Sequence, residues 1–146
     1  MDELVKSMKV TLATVFSFYL KTHYFHWNVE GDDFYQYHKM FQKIYEDVYD
    51  SVDPLAEEIR ACKSYSPGSL TRFKELSKVE CELKIPTGRV MVDRLLADND
   101  KVIECLNDTF KLAQKENKQG LMNFLADRLD KHAKWGWFLR STEKER

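Results

Sequence analysis

Five residues in the first half of the chain stand at spacings that could do metal chemistry: His26, His38, Gln42, Asp53 and Glu57. His38 and Gln42 are four positions apart, as are Asp53 and Glu57. On a helix such a pair lies one side chain above the other, so each can aim two donors at one point. Imidazole combined with carboxylate suits iron, and zinc and manganese as well. The two pairs cannot share an ion within one chain, because the 15 positions between His38 and Asp53 amount to about 22 Å of helical rise. Antiparallel packing of this helix against its copy across a two-fold axis would bring the histidine end of one to the carboxylate end of the other, giving two equivalent shared sites.

The elements that must position these residues are legible in the apolar periodicity. Val5, Met8, Leu12, Val15, Phe16, Tyr19 and Leu20 recur at steps of three and four and predict a helix to about Asn28. Gly31 is the expected stop and Asp32 the expected cap. Phe34, Tyr37, Phe41, Ile44, Val48, Val52, Leu55 and Ile59 then mark a second long helix, closing a hairpin. Between Lys63 and Gly88 the pattern breaks into loop residues, with a short helix expected at Leu70, Phe73 and Leu76. A third long helix follows through Val92, Leu95, Leu96, Ile103, Leu106 and Phe110. A fourth, through Leu121, Phe124, Leu125, Leu129 and His132, is joined to it near 117–120. Helices this long, roughly 35 to 45 Å, imply a bundle. One long connection in its middle is the ferritin-like variant, since a simple up-down bundle needs only short loops.

Composition sets the outer bounds. The 146 residues make one domain, spanning 1–146, with 43% hydrophobic and 32% charged residues and only five Gly and three Pro. Apolar runs are too short to span a membrane. The opening Met1-Asp2-Glu3-Leu4 has no basic region leading into an apolar stretch, so a cytoplasmic location is expected. Cys62, Cys81 and Cys105 are an odd number without C-x-x-C spacing and are expected to be reduced thiols. A net charge of −1 with interspersed signs disfavours strong nucleic-acid binding.

With these residues in place, the chain resembles the DNA-protection-during-starvation (Dps) family, the mini-ferritins. The head of that family's motif is His26-Trp27-Asn28, and His38, Gln42, Asp53 and Glu57 follow with eleven, three, ten and three residues between them. The likeness extends to the order of helices, the short helix in the crossover, and the segment from Asp130-Lys131-His132 to Trp137-Phe138-Leu139-Arg140. The resemblance implies an all-α ferritin-like four-helix bundle, assembled as a homo-oligomeric twelve-subunit shell. It further implies ferrous iron bound at two-fold interfaces, oxidised there with hydrogen peroxide, and stored as a ferric mineral. His26 and His38 would come from one subunit and Asp53 and Glu57 from its partner, with Trp27 nearby to absorb stray oxidising equivalents. Acidic pores would admit iron, for which Glu116 and Asp127 are the candidates.

Two departures qualify what the resemblance implies. Gln42 stands where the family usually has Asp or Glu, and a neutral amide oxygen is a weaker ligand for a hard cation. His26, Asp53 and Glu57 are therefore expected to make the tight position, with His38 and Gln42 a looser second; the alternative is a shell whose oxidising site has decayed. The second departure concerns DNA, since Lys6 and Lys9 are offset by Asp2 and Glu3 and Glu143-Lys144-Glu145-Arg146 is balanced, so weak or absent binding is expected.

Each residue also has a plainer reading. Asp53-Pro54 alone would be a helix start, with Asp as cap and Pro in the first turn. The full spacing argues instead for one helix kinked near Asp53. Glu57 alone would be a solvated helix residue, and His26 and His38 ordinary half-buried histidines. His23 is expected on the surface, His132 in a hydrogen-bonded core or interface position, and Trp135 and Trp137 at a subunit contact.

Overall fold

A computed structural model describes residues 1–142, so the charge-balanced stretch 143–146 lies outside the described residues. Among the described residues there are five helices and no strand: α1 (Asp2–Asn28), α2 (Phe34–Ala61), α3 (Leu70–Leu76), α4 (Gly88–Lys115) and α5 (Gln119–Ser141). The helix ends follow local chemistry. Asp2 and Glu3 occupy the first turn of α1 and Arg60, Lys115 and Arg140 the last turns of α2, α4 and α5, each complementing the helix dipole. Ser69 accepts from Arg72 N at 3.1 Å to start α3, and Thr87 Oγ1 accepts from Val90 N at 3.4 Å to start α4.

The hairpin between α1 and α2 turns through Gly31, whose φ of +112° is reached cheaply only without a Cβ. Asp33 is the capping residue of α2, one position later than the expected Asp32. α1 packs along both α2 and α4, and α5 packs along α4, so α1 and α4 form the middle of the bundle. Met8, Leu12 and Phe18 of α1, Phe41 and Ile44 of α2, and Leu95 of α4 are fully buried in the core. At the foot of α4 the backbone runs hard against α2: a Cβ on Gly88 would lie 2.7 Å from Tyr37 Cδ2. That is inside van der Waals contact with a ring that is itself stacked on Phe41.

The crossover between α2 and α4 is strapped to α1. Lys78 N donates to Thr14 Oγ1 at 3.1 Å, Lys21 Nζ to Glu80 O at 3.1 Å, and Tyr24 OH to Lys84 O at 2.9 Å. α3 itself packs on α1, with Phe73 against Phe16. Lys21 also stands 2.8 Å from Asp98 Oδ2, a nearly buried ion pair tying α1 to α4. Its alignment is too poor to count as a hydrogen bond.

Helix α2 runs unbroken through Pro54, so the reading of Asp53 as a helix cap fails. Pro54 has no N–H, which deprives the carbonyl of Asp50 of its partner one turn back. The fully buried Val48 and Ile59 and nearly buried Leu55 hold the helix in the core on either side of that gap. Asp53 and Glu57 are thus residues of a helix interior, both exposed to solvent. All three cysteines are free, as their number and spacing suggested.

Candidate metal centre

His26 closes α1 and His38 stands in the second turn of α2, so the hairpin brings them face to face. Their rings stack at 3.8 Å between centroids with 15° between planes. His26 Nδ1 lies 2.7 Å from the carbonyl oxygen of His38, and His38 Nδ1 lies 2.8 Å from the carbonyl oxygen of His26. A carbonyl only accepts, so in both bonds Nδ1 carries the proton and donates it. Each ring is thereby fixed in the tautomer whose Nε2 holds a bare lone pair, the form in which histidine binds metals. Neither Nε2 makes a hydrogen bond among the described residues. Burial is the main cause that holds His26 below the ordinary histidine pKa; the backbone bond to His38 opposes it, and the His38 and Lys39 charges reinforce it. The neutral ligand form is favoured in consequence.

An aromatic shelf supports this pair. Tyr45 stands edge-on to His26 at 5.1 Å and stacks on His23 at 3.8 Å and 12°. His23 is not the surface residue expected: it is half-buried, hydrogen-bonded through Nδ1 to Tyr19 OH at 2.9 Å, and covered by Trp27 at 4.1 Å. It escapes solvent because Tyr45 reaches across from α2. Burial, then the neighbouring His26, lowers its pKa. Trp27 itself is largely exposed and touches His23 rather than the two stacked histidines. Gln42, one turn beyond His38, donates from Nε2 to Glu46 Oε1 at 2.9 Å.

The structure brings His26 and His38 together and leaves Asp53 and Glu57 at the far end of α2. Among the described residues, no three of His, Cys, Asp and Glu gather closely enough to hold an ion. Asp53 lines an open groove with Leu12, Phe16, Tyr49 and Val52. Of the pore candidates, Glu116 caps the end of α4, where it takes an ion pair from the amino group of Met1 at 2.8 Å that lowers its pKa. Asp127 is exposed on α5.

Of a second polar cluster, only the hydrogen-bonded core position of His132 was foreseen in the sequence. Arg128 donates to both carboxylate oxygens of Asp47, at 3.0 and 2.9 Å, and Trp135 Nε1 donates to Asp47 Oδ2 at 2.7 Å. Trp135 packs within its own chain, where its indole N–H serves this half-buried carboxylate. Trp137 remains exposed. His132, wholly buried, pairs through Nδ1 with Asn99 Oδ1 at 2.8 Å, while Asn99 Nδ2 donates to His132 O at 2.9 Å. That leaves Nε2 to accept from Arg128 at 3.2 Å. Burial first, and the Arg128 charge second, push the His132 pKa down to about 3. Burial would raise the Asp47 pKa, but the bonds from Arg128 and Trp135 and the Arg128 charge outweigh it and leave it lowered. The only sequence signal for the partners of His132 was Arg128, four positions before it on one helix face.

The helices form a bundle of the ferritin-like class, and the Ferritin-like domain family matches residues 6–145, nearly the whole chain, which therefore belongs to it. The DNA protection during starvation protein of Helicobacter pylori is 29% identical over 140 residues, covering 95% of this chain and 95% of that protein. The structure superposes on Dps from Staphylococcus aureus with a TM-score of 0.95 and 26% identity, covering 100% of this chain and 98% of that one. It also superposes on the Dps protein of Vibrio cholerae, described as one of the ferritin-like diiron-carboxylate proteins, at 0.93 and 24%, over 98% and 90% of the two chains. Within the ferritin-like proteins, this chain is a member of the Dps family. Membership implies iron binding and storage.

Proposed function

We propose that the protein binds ferrous iron at sites shared between two copies, oxidises it with hydrogen peroxide, and stores the ferric product inside a twelve-subunit shell. The observation that carries this reading is the reciprocal pair of histidine-to-carbonyl bonds. It leaves two stacked imidazoles at the end of the hairpin, each with Nε2 free of a hydrogen-bond partner among the described residues. The missing hard donors, Asp53 and Glu57, stand exposed on the same helix about 22 Å away. A two-fold partner lying antiparallel along α2 supplies them.

The exposed apolar side chains support such a partner. Leu20, Trp27, Tyr49 and Leu70 are open to solvent on α1, α2 and α3, and a groove between α1 and α3 lies among them. An apolar groove rimmed by exposed Leu20, Trp27 and Leu70 is the kind of surface a partner covers.

Chemically, the histidines hold ferrous iron without adding charge, and the partner carboxylates stabilise the ferric product, being harder and anionic. Two ferrous ions each give one electron to peroxide. The O–O bond breaks, both oxygens leave as hydroxide, and hydrolysis of the ferric ions releases protons as the mineral grows. Paired delivery of two electrons bypasses the hydroxyl radical that one electron would produce. DNA binding is weak or absent in this reading, since the basic residues near the amino terminus are offset by acids.

Stopped addition of ferrous iron with peroxide tests the proposal. Oxidation well above the buffer rate is expected; a rate equal to buffer would leave the rival reading, an assembly whose oxidising site has decayed at Gln42.

A further inference from the structure

The weak point of the site is Gln42, which occupies a ligand position with a neutral side chain. Its surroundings are unusual in one respect. Its amide nitrogen is committed to Glu46, one turn further along α2, at 2.9 Å. A carboxylate only accepts hydrogen bonds, so the nitrogen must face Glu46 and the amide oxygen is the atom left over. His38, Gln42 and Glu46 form a single column at four-residue steps, with the histidine at one end and a full negative charge at the other. Glu46 is exposed and makes no other hydrogen bond or ion pair among the described residues. It does not itself join the two histidines as a third ligand in this structure.

We propose that Gln42 and Glu46 act as one amide–carboxylate unit, in which Gln42 presents its oxygen to the second ferrous ion and Glu46 supplies the negative charge. The inference rests on the shared-site reading above.

The physical basis is polarisation. A charge-assisted bond from the amide N–H to a carboxylate draws electron density toward the amide oxygen, which becomes a harder and stronger donor. The same bond holds the amide against rotation, which keeps the nitrogen on Glu46 and leaves the oxygen free to act as a donor. Carboxylates that receive a proton bond from a ligating imidazole act on metals in the same way, and their loss costs ten- to a hundredfold in affinity. Glu46 is thus a positioning residue, and Gln42 the ligand.

Anaerobic calorimetric titration of the assembled protein with ferrous iron tests this. The wild type is expected to take up two ions per shared site with unequal affinity. Glu46→Ala and Glu46→Gln should both weaken the second ion by about ten- to a hundredfold and leave the first unchanged. Helix content and melting temperature should match wild type, as Glu46 is exposed. Gln42→Glu places a carboxylate directly at the ligand position. In that background Glu46→Ala should change the second affinity by no more than about threefold, since the route through the amide is gone.

Several results would overturn the proposal. They are a wild type that takes up only one ion, either Glu46 variant titrating like wild type, or an equal loss on removing Glu46 whether residue 42 is Gln or Glu. The last would make Glu46 a general field and not a partner of Gln42. A wild type that binds no ferrous iron fails earlier, at the shared-site reading itself.

Discussion

Two histidine clusters, built alike, have opposite fates. His26 and His38 each donate Nδ1–H to a backbone carbonyl, and His132 pairs its Nδ1 with the side-chain amide oxygen of Asn99. All three rings are therefore fixed with Nε2 as the acceptor. In the core, Nε2 of His132 is met by Arg128, which is itself clamped on Asp47, so the lone pair is spent within the fold. At the end of the α1–α2 hairpin, no donor among the described residues meets Nε2 of His26 or His38. What separates a structural histidine from a ligand here is the partner of the second nitrogen. Burial does not separate them, since His26 and His132 are both buried.

Removing a member of each cluster should break the comparison in different ways. The largest effect is on chemistry: His38→Ala should lower the peroxide-dependent oxidation rate by about a hundredfold or more, beyond the loss typical of outer partners, with little change in melting temperature. Next comes stability. Asp47→Ala leaves Arg128 buried without its carboxylate and should cost about 3–5 kcal/mol in denaturant unfolding, while iron binding by the surviving fold persists.

The acid side of the stability profile sharpens the contrast. His132 has a folded pKa of about 3 against an ordinary 6.5, so below 6.5 the unfolded chain takes up a proton that the folded chain refuses. Stability should fall as pH drops from about 6.5 toward 3, by at most about 1.4 kcal/mol per pH unit from this residue. His23 and His26, lowered in the same direction, add to the slope. Asp47 extends it, since a lowered carboxylate gives stability above its ordinary range that is lost as pH falls through its folded value. His132→Gln should flatten the profile between about pH 6 and 4, measured by denaturant midpoints across that range; an unchanged slope would place the proton uptake elsewhere. The smallest effect expected is that of Gly88→Ala, about 1–3 kcal/mol from forcing a Cβ against Tyr37, read as a lower melting temperature.

The long helices, the crossover with its short helix, and the spacing of His26, His38, Gln42, Asp53 and Glu57 could be read from the chain, because periodicity and intervals along a helix are local properties. Even the passage of α2 through Pro54 followed from those intervals against the local preference of Asp-Pro. What could not be read depends on which groups meet across helices. The reciprocal carbonyl bonds need the register of α1 on α2. The Asp47–Arg128 clamp joins residues 81 positions apart, with no repeat to announce it. His23 was misplaced, and the bond of Trp135 to Asp47 missed, for the same reason: each meets a residue of another helix, Tyr45 and Asp47 respectively.

A shared site needs one chain to supply imidazoles and another to supply acids. Subunits carrying His38→Ala can be mixed, by unfolding and reassembly, with subunits carrying Asp53→Asn and Glu57→Gln, each inactive when alone. Random pairing makes half of the two-fold dimers mixed, and each mixed dimer holds one intact site of two, so about a quarter of wild-type oxidation should return. If the mixture, assembled to the same size as wild type, stays as inactive as its components, the site is not shared between subunits and the account is wrong.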